Sequence, residues 1–159
     1  MKNKYFSHIS IFVFCLLFSS GCSFISVSLV PSVEPLRETT VSGSGKDKIL
    51  IIDISGIISE ERKRGLAGLS DEPDMVARIK EELETAAKDK YLKAIILRIN
   101  SPGGTVTASD MIYHEIEQFK ENTHIKIIAC IMDLGASGGY YVAVSADKII
   151  AHPTTVTGS

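Results

Sequence analysis

The chain lacks a cysteine framework. Its 159 residues hold three cysteines, Cys15, Cys22 and Cys130, in no disulfide or metal-ligand spacing. Cys130 lies in an apolar run and reads as a small core residue. An excess of either charge is also missing. Seventeen basic residues against 19 acidic ones leave a net charge of -2. Tryptophan is absent and no basic patch interleaves with aromatics, so nothing here suits nucleic acid. No internal repeat is evident. Between Tyr5 and Val33 there is no Asp, Glu, Lys or Arg at all, which exceeds the ~20 residues that a membrane-spanning helix needs. What is present is 45% hydrophobic residues, enough for the core of one modest domain.

The uncharged stretch begins as an export signal begins. Lys2 and Lys4 precede apolar residues from Tyr5 to Phe18, and Ser19-Ser20-Gly21-Cys22 follows. Small residues before a cysteine resemble a bacterial lipoprotein signal, with Cys22 the lipidated first residue of the mature chain. Ser19 departs from the leucine usual at that place. An uncleaved anchor and simple cleavage are the rival readings; the interrupting Ser, Gly and Cys and the following Pro31 weigh against the anchor. All three carry the domain out of the cytoplasm. Residues 1–22 are therefore expected to be signal or anchor. Residues 23–46, with Pro31, Pro35 and Ser42-Gly43-Ser44-Gly45, suit a flexible linker. Residues 47–159 form the folded part. Gly45-Lys46 is no phosphate loop, because Asp47 follows it and a strand comes after it rather than before.

Within the folded part, apolar runs alternate with helical periods. Ile49 to Ile54 predicts a buried strand, with a short second strand after Gly56. Glu60 to Asp71 is polar and predicts a solvated loop. Asp74 is placed to cap a helix in which Val76, Ile79, Leu83 and Ala86 recur at helical spacing. Ala94 to Asn100 predicts a strand closed by a Ser101-Pro102-Gly103-Gly104 loop. Thr105 to Glu121 predicts a helix burying Ile112, Ile116 and Phe119. Ile125 to Met132 is another strand, Tyr140 starts a helix, and Lys148 to Ala151 is a last short strand. Strand and helix in alternation predict a parallel α/β domain.

The chemistry concentrates in Asp133-Leu134-Gly135-Ala136-Ser137-Gly138-Gly139-Tyr140-Tyr141. Ser137 falls on a strand-to-helix turn between small residues, where a substrate carbonyl can approach and free backbone N–H groups can face an oxyanion. The bland alternative is a glycine-rich packing turn. Gly103 and Gly104 can take positive φ and aim an N–H into the same cleft. Asn100 and Ser101 are placed to orient that loop by local side-chain bonds. Both turns follow parallel strands, at the sheet edge where ligands bind in α/β folds. No metal-ligand cluster stands out. A serine needs a base within about 2.6–3.2 Å. Lys148 reads as a solvated charge beside Asp147, and His152 has too little chain after it for an α/β-hydrolase triad. His8, His114 and His124 read as signal, amphipathic-helix and loop residues.

Three segments, AIILRINSPGGTVTASDMIY, DLGASGGYYVAVSADKIIAHP and TTVTGS, resemble the signal peptide peptidase A family, from about Lys48 to Ser159. That family comprises membrane-associated serine–lysine peptidases with the fold of the caseinolytic protease subunit and crotonase. The resemblance implies an α/β fold of repeated β-β-α units, truncated here at the C-terminus. It implies Ser137 as nucleophile, and an oxyanion hole from Gly138 and from Gly104 or Gly103, with Gly104 preferred. No cofactor or metal is implied. The implied partners are a peptide substrate, the membrane and, at full length, further copies of the protein, with the catalytic domain on the extracytoplasmic side. The family's general-base lysine lies downstream of the threonine-glycine-serine motif, so it is expected to be absent from this chain. Two other functions share the sequence features: a non-catalytic lipoprotein that binds peptides or partners, and a crotonase-type acyl-CoA enzyme. Export argues against the latter.

Overall fold

The computed structural model of the protein describes residues 36–61, 63–64, 71–72 and 74–159. The signal or anchor at residues 1–22, Cys22 itself and the first part of the linker lie outside the described residues, as does most of the Glu60–Asp71 loop. Residues 36–47 are exposed and carry no regular structure. Among the described residues, no helix is long and apolar enough to cross a membrane.

Four strands make the main parallel sheet: β1 (Lys48–Ile58), β4 (Leu92–Gly104), β5 (Lys126–Ala136) and β6 (Lys148–Ala151), in the order β1-β4-β5-β6. β7 (Val156–Gly158) joins it by pairing with β5. A separate antiparallel pair, β2 (Lys63–Arg64) and β3 (Asp71–Glu72), lies in the polar segment. The helices are α1 (Met75–Ala86), α2 (Val106–Thr123) and α3 (Gly138–Ala143).

Register explains the burial pattern. Ile52, Leu97 and Ala129 lie level across β1, β4 and β5, as do Ile54, Ile99 and Ile131, and all six are buried. Their side chains alternate along each strand with Ile51, Ile96 and Ile128, which form the opposite, half-open face. On that face Asp53 and Arg98 sit level and pair through two hydrogen bonds, Arg98 Nη2 lying 2.6 Å from Asp53 Oδ2.

The helices supply the rest of the core. Asp74 Oδ1 accepts from Ala77 N at 2.9 Å and starts α1, which buries Val76, Ile79, Leu83 and Ala86 as its period predicts. Thr105 Oγ1 accepts from Ala108 N at 3.2 Å and starts α2, which buries Ile112, Ile116 and Phe119. His124, at φ 57°, closes α2 in the left-handed conformation, its N–H bonded to Lys120 O. Each fully buried isoleucine such as Ile79 or Ile116 contributes about 1.5–3 kcal/mol.

Three expectations need correction. β1 is one 11-residue strand, not two; a register shift between Ser55 and Ile57 absorbs Gly56, at φ 80°, as a bulge. Ser101 to Gly104 is the end of β4 rather than a loop, because Gly103 and Gly104 pair with Ile57 and Ile58 of the extended β1. Helix α3 begins at Gly138, two residues before Tyr140.

Candidate active site

β4 and β5 run parallel and end side by side, which brings the two glycine segments together. Their ladder slips after Ile99–Ile131 and resumes at Ser101–Gly135. Asn100 Oδ1 fills the gap by accepting from Leu134 N at 3.2 Å. β5 then runs to Ala136, and Ser137 turns the chain into α3.

Ser137 is exposed and adopts φ 50°, ψ -121°. A serine reaches this region only at a cost, of order 1–3 kcal/mol, so the surrounding structure has to hold it there. Strand-to-helix turns that present a nucleophile have this sharp, strained form. Two neighbours fix it. Ser137 N donates to Gly158 O of β7 at 2.6 Å, and Ser137 O accepts from Tyr141 N at 2.9 Å. β7 and the residue before it brace the approach as well: Thr157 Oγ1 donates to Gly135 O at 2.9 Å and Thr155 Oγ1 to Met132 O at 2.6 Å. The sequence reading had no strand here, because three residues of valine, threonine and glycine carry too little pattern to stand out.

Glycine is required on both sides of the turn by close packing. A Cβ on Gly138 would lie 2.2 Å from Ser109 Oγ and 3.3 Å from Gly104 N. One on Gly103 would lie 2.7 Å from Gly138 N and 2.8 Å from Ser137 Cβ, and one on Gly104 would run into the Ile58 carbonyl at 1.8 Å. The backbones of Gly103, Gly104 and Gly138 are therefore packed against each other and against Ser137.

Of the four N–H groups at this junction, two are occupied. Ser137 N is bonded to Gly158 O, and Gly103 N to Ser101 Oγ at 3.0 Å. Thr105 N bonds Ile58 O, so the preceding Gly104 N–H faces away from β1. The β4–β5 ladder stops at Ser101–Gly135, so no ladder partner meets it there. Gly103 is buried, whereas Gly104 is exposed. Gly104 N–H and Gly138 N–H take part in neither the bond to Gly158 O nor that to Ser101 Oγ.

The residues weighed as a base are elsewhere. Lys148 is level with Ile128, eight residues before the end of β5, roughly 26 Å at 3.3 Å per residue. His152 is exposed, and its Nδ1 lies 2.8 Å from Thr154 Oγ1. His114 is on α2, 3.6 Å from Asp110, and His124 caps that helix. Lys80 and Lys120 are held by Glu115 and by Ser145 O with Glu117. Behind the turn, Tyr141 Oη donates to Asp110 Oδ1 at 2.8 Å, and that bond raises the phenol's pKa. Its ring packs on Tyr113, with centroids 5.1 Å apart. Tyr141 thereby ties α3 to α2. Among the described residues, no group of three or more His, Cys, Asp or Glu is placed to hold a metal.

A parallel sheet with a strained serine at its carboxyl edge places the molecule among the α/β proteins of the caseinolytic protease and crotonase-like class. The solved ClpP1 variant from Listeria monocytogenes has this fold, with a TM-score of 0.52 and 20% identity over 67% of this chain and 53% of that one. The chain belongs to the family described as NfeD1b, N-terminal domain, whose model matches residues 72–159. The kinship expected with the signal peptide peptidase A proteins also holds. The chain is 38% identical over 115 residues to serine protease SPPA, chloroplastic, of Arabidopsis thaliana, and 38% identical over 117 residues to protease 4 of Haemophilus influenzae. Those matches take in 72% and 71% of this chain but only 16% and 17% of the relatives' lengths.

Proposed function

We propose that the chain is a serine endopeptidase of the signal peptide peptidase type, with Ser137 as nucleophile and Gly138 and Gly104 N–H groups as oxyanion hole. The observation that carries this reading is the strained, exposed Ser137 on a turn packed against the backbones of Gly103, Gly104 and Gly138. Ser137 Oγ would attack a peptide carbonyl, and the developing oxyanion would be met by both donors, each worth ~10²–10³ in rate. The proton of Ser137 needs a base. The lysine and histidine side chains weighed above do not take that place, and the family resemblance makes the base a lysine, which we place outside the described residues. Cleavage of membrane-derived peptides outside the cytoplasm, attachment through Cys22 and self-association belong to the same proposal; the uncharged residues 5–33 support the first two.

A second reading, a peptide-binding lipoprotein without turnover, is favoured by the absence of a base beside Ser137 among the described side chains weighed above. A fluorogenic signal-peptide substrate, added to membranes carrying the full chain, separates the two. Turnover that disappears in Ser137→Ala supports the peptidase. Turnover that survives it removes Ser137 from the role, and peptide binding without turnover establishes the second reading.

A further inference from the structure

Ser101 is the most deeply buried polar side chain at the junction, with no exposed surface. Its hydroxyl has one proton and two lone pairs. The proton goes to Gly56 O, at 2.6 Å, and a lone pair accepts the Gly103 N–H, at 3.0 Å. The first bond reaches the bulge of β1; the second reaches the last turn of β4. The start of α3 rests on the same residue, since a Cβ on Gly139 would lie 2.9 Å from Ser101 O and 3.2 Å from Ser101 Cβ. One small side chain therefore touches all three segments that meet beneath Ser137.

The second bond has a direct effect on the cleft. Gly103 stands at φ 98° and is buried, whereas Gly104 is exposed. With the Gly103 N–H held inward by Ser101, the next N–H is the one presented outward. We infer that Ser101 is a positioning residue that selects the oxyanion donor: it holds the Gly103 N–H inward and so fixes Gly104 N–H, together with Gly138 N–H, toward the substrate. This rests on the peptidase reading of Ser137. Alanine at 101 removes the side-chain acceptor of the buried Gly103 N–H and the donor to Gly56 O. The Gly103–Gly104 peptide then keeps its pairing with β1 but loses its side-chain restraint, and the donor geometry loosens without any change in the nucleophile.

Two measurements on the full chain test this. Amide hydrogen exchange by NMR reads the bond itself. Gly103 exchanges slowly and Gly104 fast in the wild type, and Gly103 speeds up about tenfold or more in Ser101→Ala. A peptidyl boronic acid reads the consequence, because it adds to the serine hydroxyl and places its oxygen among the oxyanion donors. Its affinity falls at least about tenfold in Ser101→Ala, part of the 10²–10³ of a whole donor. The matching peptide amide, which forms no such adduct, binds both proteins equally. Should Ser101→Ala fail to fold, Ser101→Cys, with a weak S–H in place of the hydroxyl, gives the same two shifts. Unchanged Gly103 exchange, or unchanged boronate affinity in a variant whose wild type binds it, overturns the inference. A wild type that ignores the boronate sinks the peptidase reading and the donor selection that rests on it, while exchange still decides whether Ser101 holds Gly103.

Discussion

The amide of Ser137 and the carbonyl of Gly158 are joined at 2.6 Å, although 21 residues separate them along the chain. This bond removes the Ser137 N–H from the cleft and pins the residue with the least comfortable backbone in the site. The Ser137 side chain remains exposed.

The strain at Ser137 gives an unusual ranking of variants. At φ 50° a glycine is comfortable and an alanine is not. Ser137→Gly is expected to be more stable than Ser137→Ala by about 1 kcal/mol, the lower end of the usual range for such strain. Both lack the Ser137 hydroxyl. Urea denaturation of the two variants checks this, and equal midpoints would show that the turn is not strained.

Gly138→Ala tests the close approach of α2. The added methyl meets Ser109 Oγ, whose own bond to Thr105 O, at 2.9 Å, leaves it no room to retreat. A loss of about 1–3 kcal/mol is expected, as for overpacking elsewhere. Ser109→Ala removes the obstructing oxygen, so the double variant should recover much of the loss. Additive losses in the double-mutant cycle would place the clash somewhere else.

Thr157 holds the Gly135 carbonyl just before the turn. Thr157→Val keeps the shape and removes the bond. It should cost about 1 kcal/mol and lower kcat more than KM in the peptidase assay, while Thr157→Ser restores both. A KM effect alone would mean that β7 touches substrate rather than bracing Ser137.

Asp147 sets an acid limit on stability. It accepts from Ile127 N at 2.8 Å and pairs with Lys126 at 2.9 Å, and these bonds, the backbone one foremost, hold its pKa below the ordinary carboxylate range. A depressed folded pKa means that the stabilisation is complete above the unfolded value and lost as pH falls through the folded one. Melting temperatures from pH 7 down to pH 2 should therefore fall less steeply in Asp147→Asn than in the wild type. Parallel curves would disprove it.

Much of the fold could be read from periodicity. The spacing of Val76, Ile79, Leu83 and Ala86 and the isoleucine runs of β1, β4 and β5 are dense enough to declare their elements. Ser137 and its glycines were legible as a candidate site because a turn that could present a nucleophile restricts residue type within a few positions. Three features were not. Gly56 looks like a strand end, since a bulge differs from a turn only in whether a neighbouring strand continues beside it. The Ser-Pro-Gly-Gly segment looks like a loop because its pairing partner, Ile57–Ile58, lies 46 residues away in register. The Ser101 hydroxyl bonds Gly56 O, 45 residues away in the chain, a contact that no local pattern encodes.

The outer edge of β5 is shared: β6 covers Ile128 to Ile131 and β7 covers Leu134 to Ala136. The consequence is one of timing during synthesis. When Ser137 leaves the ribosome, the segment that will pin its amide has not been made. At about 5–20 residues per second, the interval before Gly158 follows is on the order of one to four seconds. Ser137 is thus among the last parts of this sheet to take its shape, well after the core strands β1 and β4 are available to pair. Until then the Ser137 backbone is free to relax from its strained conformation.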